Sequence, residues 1–554
     1  MSSLDWIIIA FYFVFITGVG LLVSGRGSKS LEDYFVSGRN LPWWLSGISM
    51  VATTFAADTP LAVTGIVALN GVAGNWIWWS FAASGLLTVF LYSDLWRKSE
   101  ILTDAEFAEV RYSGRGAAFL RGFRALYLAI PVNLVIMGWV SVGMAKVAEV
   151  AFDWNRWYAL SILYAITGVY IIASGLWGVV ITDFIQFGLA MAGSILLAYL
   201  SVDYFGSLGA MKAAFIQGGH SENLLSANPF NGEIALGVVT AWLFVQWWAS
   251  WYPGAEPGGG GYIVQRAISV KSSREATLSV LLFNVLHYVV RPWPWILTAI
   301  AAIIIFPELD DPEQGYPKIM LKLMPAGLLG LMAVGFMSAF MSTLSTHVNW
   351  GASYLVSDIY KRFFVFNKEE KHYILIARLL TLFLLVAAFG VSTVIDSVQG
   401  AWKFLIALGA GTGPVYLLRW YWMRINVWSE ISAMVAAFAC TLILFLWNIN
   451  DFALMIYITV PVTSAIWITI TYLTPLESNA QIEKFRAIIA RKTEDELSFS
   501  TRLLFWIVSL ASIYSLLIGI NQILFFSTVK GGFLVFFAIV LLGLIFKKIA
   551  RKRK

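Results

Sequence analysis

The sequence predicts an all-α protein that crosses a membrane about fifteen times. Two observations lead to this fold class. Hydrophobic residues make up 59% of the 554 residues and charged residues 13%, which is about half the charge of an ordinary soluble chain. Apolar stretches long enough to cross a bilayer recur from one end of the chain to the other, and they lack the strict alternation of a transmembrane β-barrel.

Short polar loops separate the expected spans. The spans lie near residues 4–24, 43–69, 73–94, 122–150, 157–174, 178–201, 234–252, 277–306, 325–357, 373–395, 401–418, 429–448, 452–474, 503–526 and 531–546. An acidic residue, Asp5, precedes the first apolar stretch, which is typical of a membrane helix rather than a signal peptide. No loop is long enough for a soluble catalytic domain, so we expect one membrane domain over residues 1–554.

The basic residues predict the orientation of the chain. Most of the 38 lysines and arginines fall into alternate loops, and the positive-inside rule then puts the N-terminus outside and the C-terminus in the cytoplasm of a plasma (inner) membrane. The basic tail, residues 547–554, is expected to bind anionic lipid headgroups of the bilayer. The net charge of +6 therefore reflects membrane topology, and we expect no nucleic-acid partner.

Enzyme motifs are missing from the sequence. Gly409–Pro414 is glycine-rich like a phosphate loop, but it lies in an apolar span and lacks the lysine. We find no zinc-protease helix, no nucleophile elbow and no clustered histidines. The single cysteine, Cys440, excludes internal disulfides and a cysteine-based metal site. We therefore expect no enzyme activity, and no obligate protein partner is evident.

The second span contains a carboxylate and a proline close together. Asp58 lies near mid-membrane, where a charged side chain costs at least about 3 kcal/mol. Pro60 lacks a backbone donor and clashes with the carbonyl of Ala56, four residues earlier. We predict that the helix is interrupted around residues 52–57, which leaves carbonyls free to face a cavity. An ordinary proline kink is the alternative.

A run of hydroxyls occupies one face of the span at 325–357. Ser338, Ser342 and Ser345 share this face, with Thr343 and Thr346 beside them. Small polar residues allow helices to pack closely. They also offer the neutral oxygens that a hard cation such as sodium prefers. The residues alone leave both interpretations open.

Other polar and aromatic residues inside the spans are candidates for function. Asp183 and Gln186 lie one helical turn apart in an apolar span, and an intramembrane aspartate is a functional candidate. Trp248 and Trp251 form either an interfacial belt or the wall of a pocket. The chain is expected to unwind in the following stretch, 253–261, because it is rich in proline and glycine.

Arg291 lies within the span at 277–306. A deeply buried arginine needs a partner, and Asp58 is one candidate. Snorkelling of the guanidinium to the membrane interface is the alternative.

Four stretches, in this order, resemble the sodium/solute symporter family. The first, Asp33–Leu41, reads Asp-Tyr-Phe-x-x-Gly-Arg-x-Leu. The second, Tyr170–Gln186, contains Ser-Gly-Leu and Thr-Asp-x-x-Gln, and the third, Tyr262–Lys271, begins Tyr-Ile-Val-Gln-Arg. The fourth is the hydroxyl run with the Asp-Ile-Tyr-Lys that follows it, Ser338–Lys361. The resemblance covers about residues 4–450.

The resemblance implies an inverted-repeat fold of the leucine-transporter type, with five plus five core spans. The first core repeat would occupy residues 43–201 and the second 234–418. Residues 4–24 would form a peripheral first helix and residues 429–546 further peripheral helices, followed by the basic tail.

The family's main sodium site combines backbone carbonyls with two adjacent hydroxyls. The matching positions here are Ala52, Phe55, Ala339, Ser342 and Thr343. Some members have a second sodium site. Its matching positions here are Asp183, Ser345 and Thr346. The resemblance therefore permits two co-transported sodium ions per cycle.

The solute positions differ from those of the sugar-transporting members. The carboxylate that those members carry aligns with Trp78, and their polar pair in the first core helix becomes Asp58 and Thr59. The resemblance therefore implies no hexose in particular. The aromatic residues suit a small amphipathic organic solute, and Arg291, if it faces the cavity, favours one with a carboxylate.

The expected function is sodium-coupled symport by alternating access. Proton coupling through Asp58 or Asp183, passive transport of the same kind of solute and a channel are the alternatives.

Overall fold

The structure is a computed structural model that describes residues 1–23, 30–248, 256–395, 411–449, 451–491 and 497–550, together with Val398, Trp402, Leu405 and Gly409. The described residues contain no β-strand, and their only extended pairing is an isolated bridge between Leu41 and Val270. The all-α fold class is therefore confirmed.

Long apolar helices form most of the molecule. They are α1 (Ser3–Val23), α2 (Trp43–Thr54), α3 (Thr59–Asn70), α4 (Val72–Lys98), α5 (Gly114–Phe152), α6 (Arg156–Asp203), α7 (Leu236–Trp248), α8 (Gly261–Ile268), α9 (Ser273–Ile305), α10 (Leu328–Phe364), α11 (Glu370–Val391), α12 (Val427–Leu446), α13 (Phe452–Leu473), α14 (Phe499–Phe525) and α15 (Thr528–Ala550). Shorter helices connect them: Leu31–Val36, Phe107–Arg111, Leu208–Gln217, Gly315–Leu323, Gly413–Leu418 and Asn479–Ile489.

The predicted number of spans is not confirmed. Among the described residues, eleven helices are long and apolar enough to cross a membrane, and the bent pair α2/α3 makes a twelfth. The span expected at 157–174 is the part of α6 that precedes a sharp break at Gly175. The span expected at 234–252 is the shorter helix α7. Most of the span expected at 401–418 lies outside the described residues.

Two series of helices follow the same order along the chain. Each series opens with an interrupted helix, α2/α3 in the first and α7/α8 in the second. In the first series, α4, α5 and the two parts of α6 follow; in the second, α9, α10, α11 and Gly413–Leu418 follow. An internal repeat would produce this correspondence. The proposed division into repeats at 43–201 and 234–418 stays a prediction.

The predicted interruption of the second span is confirmed. Helix α2 ends at Thr54, α3 begins at Thr59, and their axes differ by 58°. The break starts slightly later than predicted, because the Phe55 amide still donates to the carbonyl of Val51 at 2.9 Å. Pro60 then stands in the first turn of α3, where its missing N–H removes no helical hydrogen bond.

Helix α5 packs directly against this break. A Cβ atom on Gly143 of α5 would lie 2.6 Å from the Cα atom of Asp58, well inside van der Waals contact. Only glycine leaves room for so close an approach between the two backbones.

The first helix is attached to α10 by a buried carboxylate. Gly327, the N-cap residue of α10, has no side chain that could cap the helix. Asp5 of α1 instead accepts hydrogen bonds from the amides of Gly327 at 2.7 Å and Gly330 at 2.8 Å. A carboxylate at a helix N-terminus satisfies free amides and complements the helix dipole. Helix α1 is therefore bound to the helix that carries the hydroxyl run.

Ion pairs tie both ends of α5 to other parts of the chain. Near its C-terminal end, Lys146 lies 2.9 Å from Asp311 and 2.5 Å from Glu313. Near its N-terminal end, Arg121 lies 2.7 Å from Glu109 and 2.7 Å from Asp358, which is near the C-terminal end of α10. The acidic loop before α10 is therefore paired with α5.

Glu109 stands outside the membrane spans and joins two arginines. Burial acts to raise the pKa of the Glu109 carboxyl, but hydrogen bonds from Arg362 and Arg121 outweigh this effect and hold the pKa below its usual value. The carboxylate is thus kept charged, which maintains this bridge between the Phe107–Arg111 helix and the end of α10.

The contact of α5 with the break predicts the effect of enlarging Gly143. Replacing Gly143 by alanine should destabilise the protein by about 1–3 kcal/mol, because the Cβ atom overlaps the backbone of Asp58. The thermal unfolding midpoint of purified protein measures this. Gly188 on α6, whose Cβ would meet no atom within 4 Å, provides the matched alanine control. Equal midpoints for the two variants would contradict the close approach.

Candidate functional site

The hydroxyl run on α10 faces α2 and α6. Thr343 Oγ1 donates to the carbonyl of Thr53, at the end of α2, at 2.8 Å. One residue earlier, Ser342 Oγ donates to Asp183 Oδ1 of α6 at 2.6 Å. The run therefore lies where the interrupted helix, α6 and α10 meet.

The five residues predicted for the main sodium site are all buried at this junction. They are Ala52, Phe55, Ala339, Ser342 and Thr343. The carbonyl of Ala52 accepts from the amide of Phe55 at 3.1 Å, and the carbonyl of Ala339 accepts from Thr343 Oγ1 at 3.1 Å. The ring of Phe55 packs edge-on against Trp295, with centroids 4.8 Å apart. The hydroxyl of Thr343 thus links the carbonyls of Thr53 and Ala339 at this junction, while the hydroxyl of Ser342 bonds Asp183.

The residues predicted for a second sodium site lie beside this group. Asp183 is fully buried. Ser345 Oγ donates back to the carbonyl of Ser342 at 3.0 Å, and Thr346 Oγ1 lies 2.9 Å from Thr53 Oγ1. The assignment of these residues as sodium ligands stays a prediction.

An arginine that the sequence analysis gave no role lies among these oxygens. Arg266 of α8 is fully buried. Its Nη2 donates to Thr346 Oγ1 at 2.7 Å and lies 3.8 Å from Asp183 Oδ2. The Tyr-Ile-Val-Gln-Arg stretch marked this residue as part of a motif, but no local signal indicates which helices its side chain reaches.

A small cavity lies next to the break. Its volume is about 50 Å³, room for a few water molecules. The described residues that line it are Thr53, Thr54, Ala56, Asp58, Thr59, Trp78, Ile136, Trp139, Val140, Tyr262, His287, Arg291, Thr343, His347 and Trp402. A solute would need these walls to move apart.

Four of the six residues predicted to bind solute line this cavity. They are Asp58, Thr59, Trp78 and Arg291. Trp248 is not among the described lining residues; it packs with Ile456 and Val460 of α13. Trp251 lies outside the described residues.

Asp58 presents a carboxylate to the cavity. Its side chain is 1% exposed, and its Oδ1 has no hydrogen-bond partner among the described residues, while the carboxyl group also interacts with the side chain of Trp402. A buried polar atom without a donor costs free energy comparable to a lost hydrogen bond. A solute that donates from a hydroxyl or an ammonium group would satisfy this oxygen.

Arg291 is held in the cavity wall by Thr54, at the end of α2, and by His287 of its own helix α9. Nη1 donates to Thr54 Oγ1 at 3.1 Å, and Nε donates to the carbonyl of His287 at 3.2 Å. The guanidinium also lies over the rings of Trp295 and Trp78, at 5.3 and 5.8 Å. The alternative of snorkelling to the interface is wrong, because the side chain is buried.

The same contacts determine the tautomer of His287. Arg291 Nη2 lies 3.3 Å from His287 Nε2, and an arginine can only donate, so Nε2 accepts. The hydrogen is then on Nδ1, which lies 3.1 Å from Thr54 Oγ1. Thr54 therefore accepts from both Arg291 and His287 while its own hydroxyl donates to the carbonyl of Val51 at 2.9 Å.

A second histidine, His347, also lines the cavity. Asn133 Nδ2 donates to the His347 carbonyl at 2.8 Å, which orients the amide and turns Oδ1 towards His347 Nδ1 at 2.7 Å. Because an amide oxygen only accepts, Nδ1 carries the hydrogen and Nε2 is left as an acceptor. His347 lies one helical turn after Thr343, so helical spacing alone could have identified it.

Comparison with known proteins agrees with the geometry. The sequence model of the sodium:solute symporter family matches residues 34–437. The chain belongs to this family. It is therefore a multi-pass membrane transporter that couples solute movement to sodium. Helix α1, which precedes the matched region, is nevertheless bound to α10 through Asp5.

Among characterised relatives, the sodium/glucose cotransporter of Vibrio parahaemolyticus is 26% identical, over 80% of this chain and 85% of that protein. The sodium/mannose cotransporter of Bos taurus is 24% identical, over 79% and 78%. The sodium/myo-inositol cotransporter 2 of Homo sapiens is 22% identical, over 78% and 68%.

One solved structure shares the fold. A Na+-coupled sialic acid symporter in a substrate-bound, outward-open state superposes on this chain with a TM-score of 0.68. The match covers 86% of this chain and 99% of the symporter. The two sequences are 18% identical, so the likeness supports the fold alone.

The hydrogen bonds of Thr54 predict the effect of removing its hydroxyl. Thr54→Val keeps the shape but leaves Arg291 and His287 without a shared acceptor, so we expect a loss of about 1–3 kcal/mol in unfolding free energy. Thermal unfolding of purified protein measures it. Thr167→Val is the control, since Thr167 bonds a backbone carbonyl of its own helix. An equal, small effect in both variants would contradict the network.

Proposed function

We propose that this chain carries a small organic solute into the cell together with sodium that binds at Ala52, Phe55, Ala339, Ser342 and Thr343. The observation that supports the site most directly is the bond from Thr343 Oγ1 to the carbonyl of Thr53, at 2.8 Å. It brings the hydroxyls of α10 against the free end of α2. A cation bound there would replace the hydrogen bonds that Thr343 makes to the neutral carbonyls of Thr53 and Ala339.

Binding of sodium at this position would be coupled to a conformational change. The ion would join the interrupted helix to α10 and so stabilise the state in which both contribute oxygens. The sodium gradient then drives transport, because one charge that crosses 100 mV gains about 2.3 kcal/mol. Alternating access requires the Lys146 pairs at one end of α5 and the Arg121 pairs at the other to separate in turn.

The cavity supports a solute that donates hydrogen bonds and has an apolar face. Asp58 and His347 both line the cavity and carry acceptor atoms, Oδ1 and Nε2, and Trp78, Trp139 and Trp402 are also among the lining residues. Hydroxyls or an ammonium group would suit the two acceptors. The relatives named above for glucose, mannose and myo-inositol make a polyhydroxylated solute one candidate. A zwitterion that also engages Arg291 is the other.

We infer that the N-terminus lies outside and the C-terminus in the cytoplasm of the plasma membrane. The support for this orientation is the bias of lysine and arginine towards alternate loops. Proton coupling through Asp58 or Asp183, passive transport and a channel are the competing mechanisms. Accumulation of solute against a gradient that stops when choline replaces sodium would exclude all three.

The assignment of the main site predicts the effect of removing its hydroxyls. Ser342→Ala and Thr343→Ala should each raise the sodium concentration that half-stabilises the purified protein by about ten-fold or more, equivalent to about 1.4 kcal/mol. The thermal midpoint is measured against sodium chloride, with choline chloride holding ionic strength constant. Ser338→Ala, on the same face but outside the site, should respond like the wild type. Unchanged sodium dependence in both site variants would refute the assignment.

The proposed contact between Asp58 and the solute predicts how the Asp58→Asn substitution changes solute binding. Purified protein is screened by thermal shift against glucose, myo-inositol, proline, lactate and choline, in sodium and in its absence. We expect stabilisation by a hydroxyl- or ammonium-bearing compound only with sodium. Asp58→Asn should weaken it by about ten- to a hundred-fold, because a hydrogen bond to a charged group contributes about 1.5–3 kcal/mol.

Asp203→Asn provides the matched control, since Asp203 is exposed at the end of α6. Stabilisation that is equal with and without sodium would contradict coupling. Equal solute binding by Asp58→Asn and Asp203→Asn would show that Asp58 does not bind the solute.

A further inference from the structure

Arg266 is a cation enclosed by neutral oxygens at the junction of α2, α8 and α10. Its side chain is fully buried. Nε donates to Ser49 Oγ at 3.2 Å, Nη1 to Gln265 Oε1 at 2.5 Å, and Nη2 to Thr346 Oγ1 at 2.7 Å. Each nitrogen of the guanidinium therefore has an acceptor, and the three acceptors come from three different helices.

The counter-charge of Arg266 is Asp183. Arg266 Nη2 and Asp183 Oδ2 are 3.8 Å apart, and both side chains are fully buried. Asp183 Oδ2 also accepts from Ser49 Oγ at 2.5 Å, and Oδ1 accepts from Ser342 Oγ at 2.6 Å. Burial of an ion is unfavourable unless the ion is paired and hydrogen-bonded. The two charges therefore compensate each other without a bound ion.

A second sodium would compete for the same oxygens. Thr346 Oγ1 already lies between Arg266 Nη2 and Thr53 Oγ1, at 2.7 and 2.9 Å. The Ser345 hydroxyl is directed to the carbonyl of Ser342. A sodium ion within about 4 Å of the guanidinium would also be repelled by its positive charge.

We propose that Arg266 takes the place of the second cation, so that each chain binds one sodium ion, at the main site. Asp183 is then a positioning residue for that site. It accepts a hydrogen bond from the Ser342 hydroxyl, which leaves the lone pairs of the Ser342 oxygen free to face the ion. Residues that hydrogen-bond to metal ligands commonly act in this way. This inference rests on the proposed function, because it presupposes the main sodium site.

The number of sodium ions bound tests the proposal. Equilibrium binding of radioactive sodium to the purified full-length protein should saturate at one ion per chain. Asp183→Asn should still bind one ion, at a concentration raised by about ten- to a hundred-fold, since an amide oxygen accepts from Ser342 less strongly than a carboxylate. Arg266→Gln leaves Asp183 uncompensated, so the number should rise to two.

Matched variants separate the charge pair from general damage. Arg486→Gln removes an exposed arginine from a surface pair and should keep one ion per chain. The double variant Arg266→Gln/Asp183→Asn removes both buried charges together and should also bind one ion. It keeps the test open if Arg266→Gln alone fails to fold.

The outcomes distinguish this inference from the proposed function. Two ions bound by the wild type, falling to one in Asp183→Asn, would overturn the inference and leave sodium coupling in place. A single ion in a folded Arg266→Gln would show that Arg266 does not take the place of a cation. No sodium bound by the wild type would overturn the main site and this inference together.

Discussion

A helix that breaks inside a membrane leaves backbone groups that no water can satisfy, and most of this site follows from that constraint. The carbonyl of Thr53 accepts from Thr343, and the carbonyl of Thr54 accepts from Thr59 at 3.4 Å. Thr54 in turn holds Arg291 through its hydroxyl. The break is therefore stabilised by hydroxyls on neighbouring elements. Such neutral contacts are weak enough for an ion to replace them.

Buried charge is arranged in compensated sets around this neutral centre. Asp183 and Arg266 pair beside the hydroxyl run. Towards the end of α10, Asp358 is held by Arg121 and by Thr103, at 2.7 and 2.6 Å. Because α10 carries both the hydroxyls and Asp358, a shift of α10 that follows ion binding would also strain the pairs at its end. In the proposed mechanism, ion binding and closure of one end of the transporter would thereby be linked through α10.

Features with a local cause could be predicted from the sequence. The break at Asp58 follows from a proline and a carboxylate in one apolar span, and the face with Ser342 and Thr343 follows from helical spacing. These local signals led to residues that the structure brings together. The role of Trp248 stayed open because a tryptophan at the end of a span has two common roles, and the structure packs it on α13.

Features that depend on long-range pairing had no local signal. Asp5 looked like the polar flank of a first helix, yet it caps α10 322 residues away. Arg266 stood in a recognisable motif, but its acceptors on α2 and α10 are set by the packing of helices. His287 was visible in the sequence, while its bond to Thr54 depends on how α9 meets the break. Tertiary packing, rather than propensity, determines these contacts.

The separation of neutral ligands from compensated charge also explains how a transported ion can leave. A carboxylate that bound sodium directly would strengthen binding and slow release, whereas conduction and transport need sites from which the ion departs in every cycle. Asp183 retains its influence on Ser342, but Arg266 offsets its charge. The affinity of the neutral site is then adjusted through the orientation of one hydroxyl. If sodium binds at the proposed main site, the buried charges tune that site and stabilise its helices, while the oxygens that meet the ion remain uncharged.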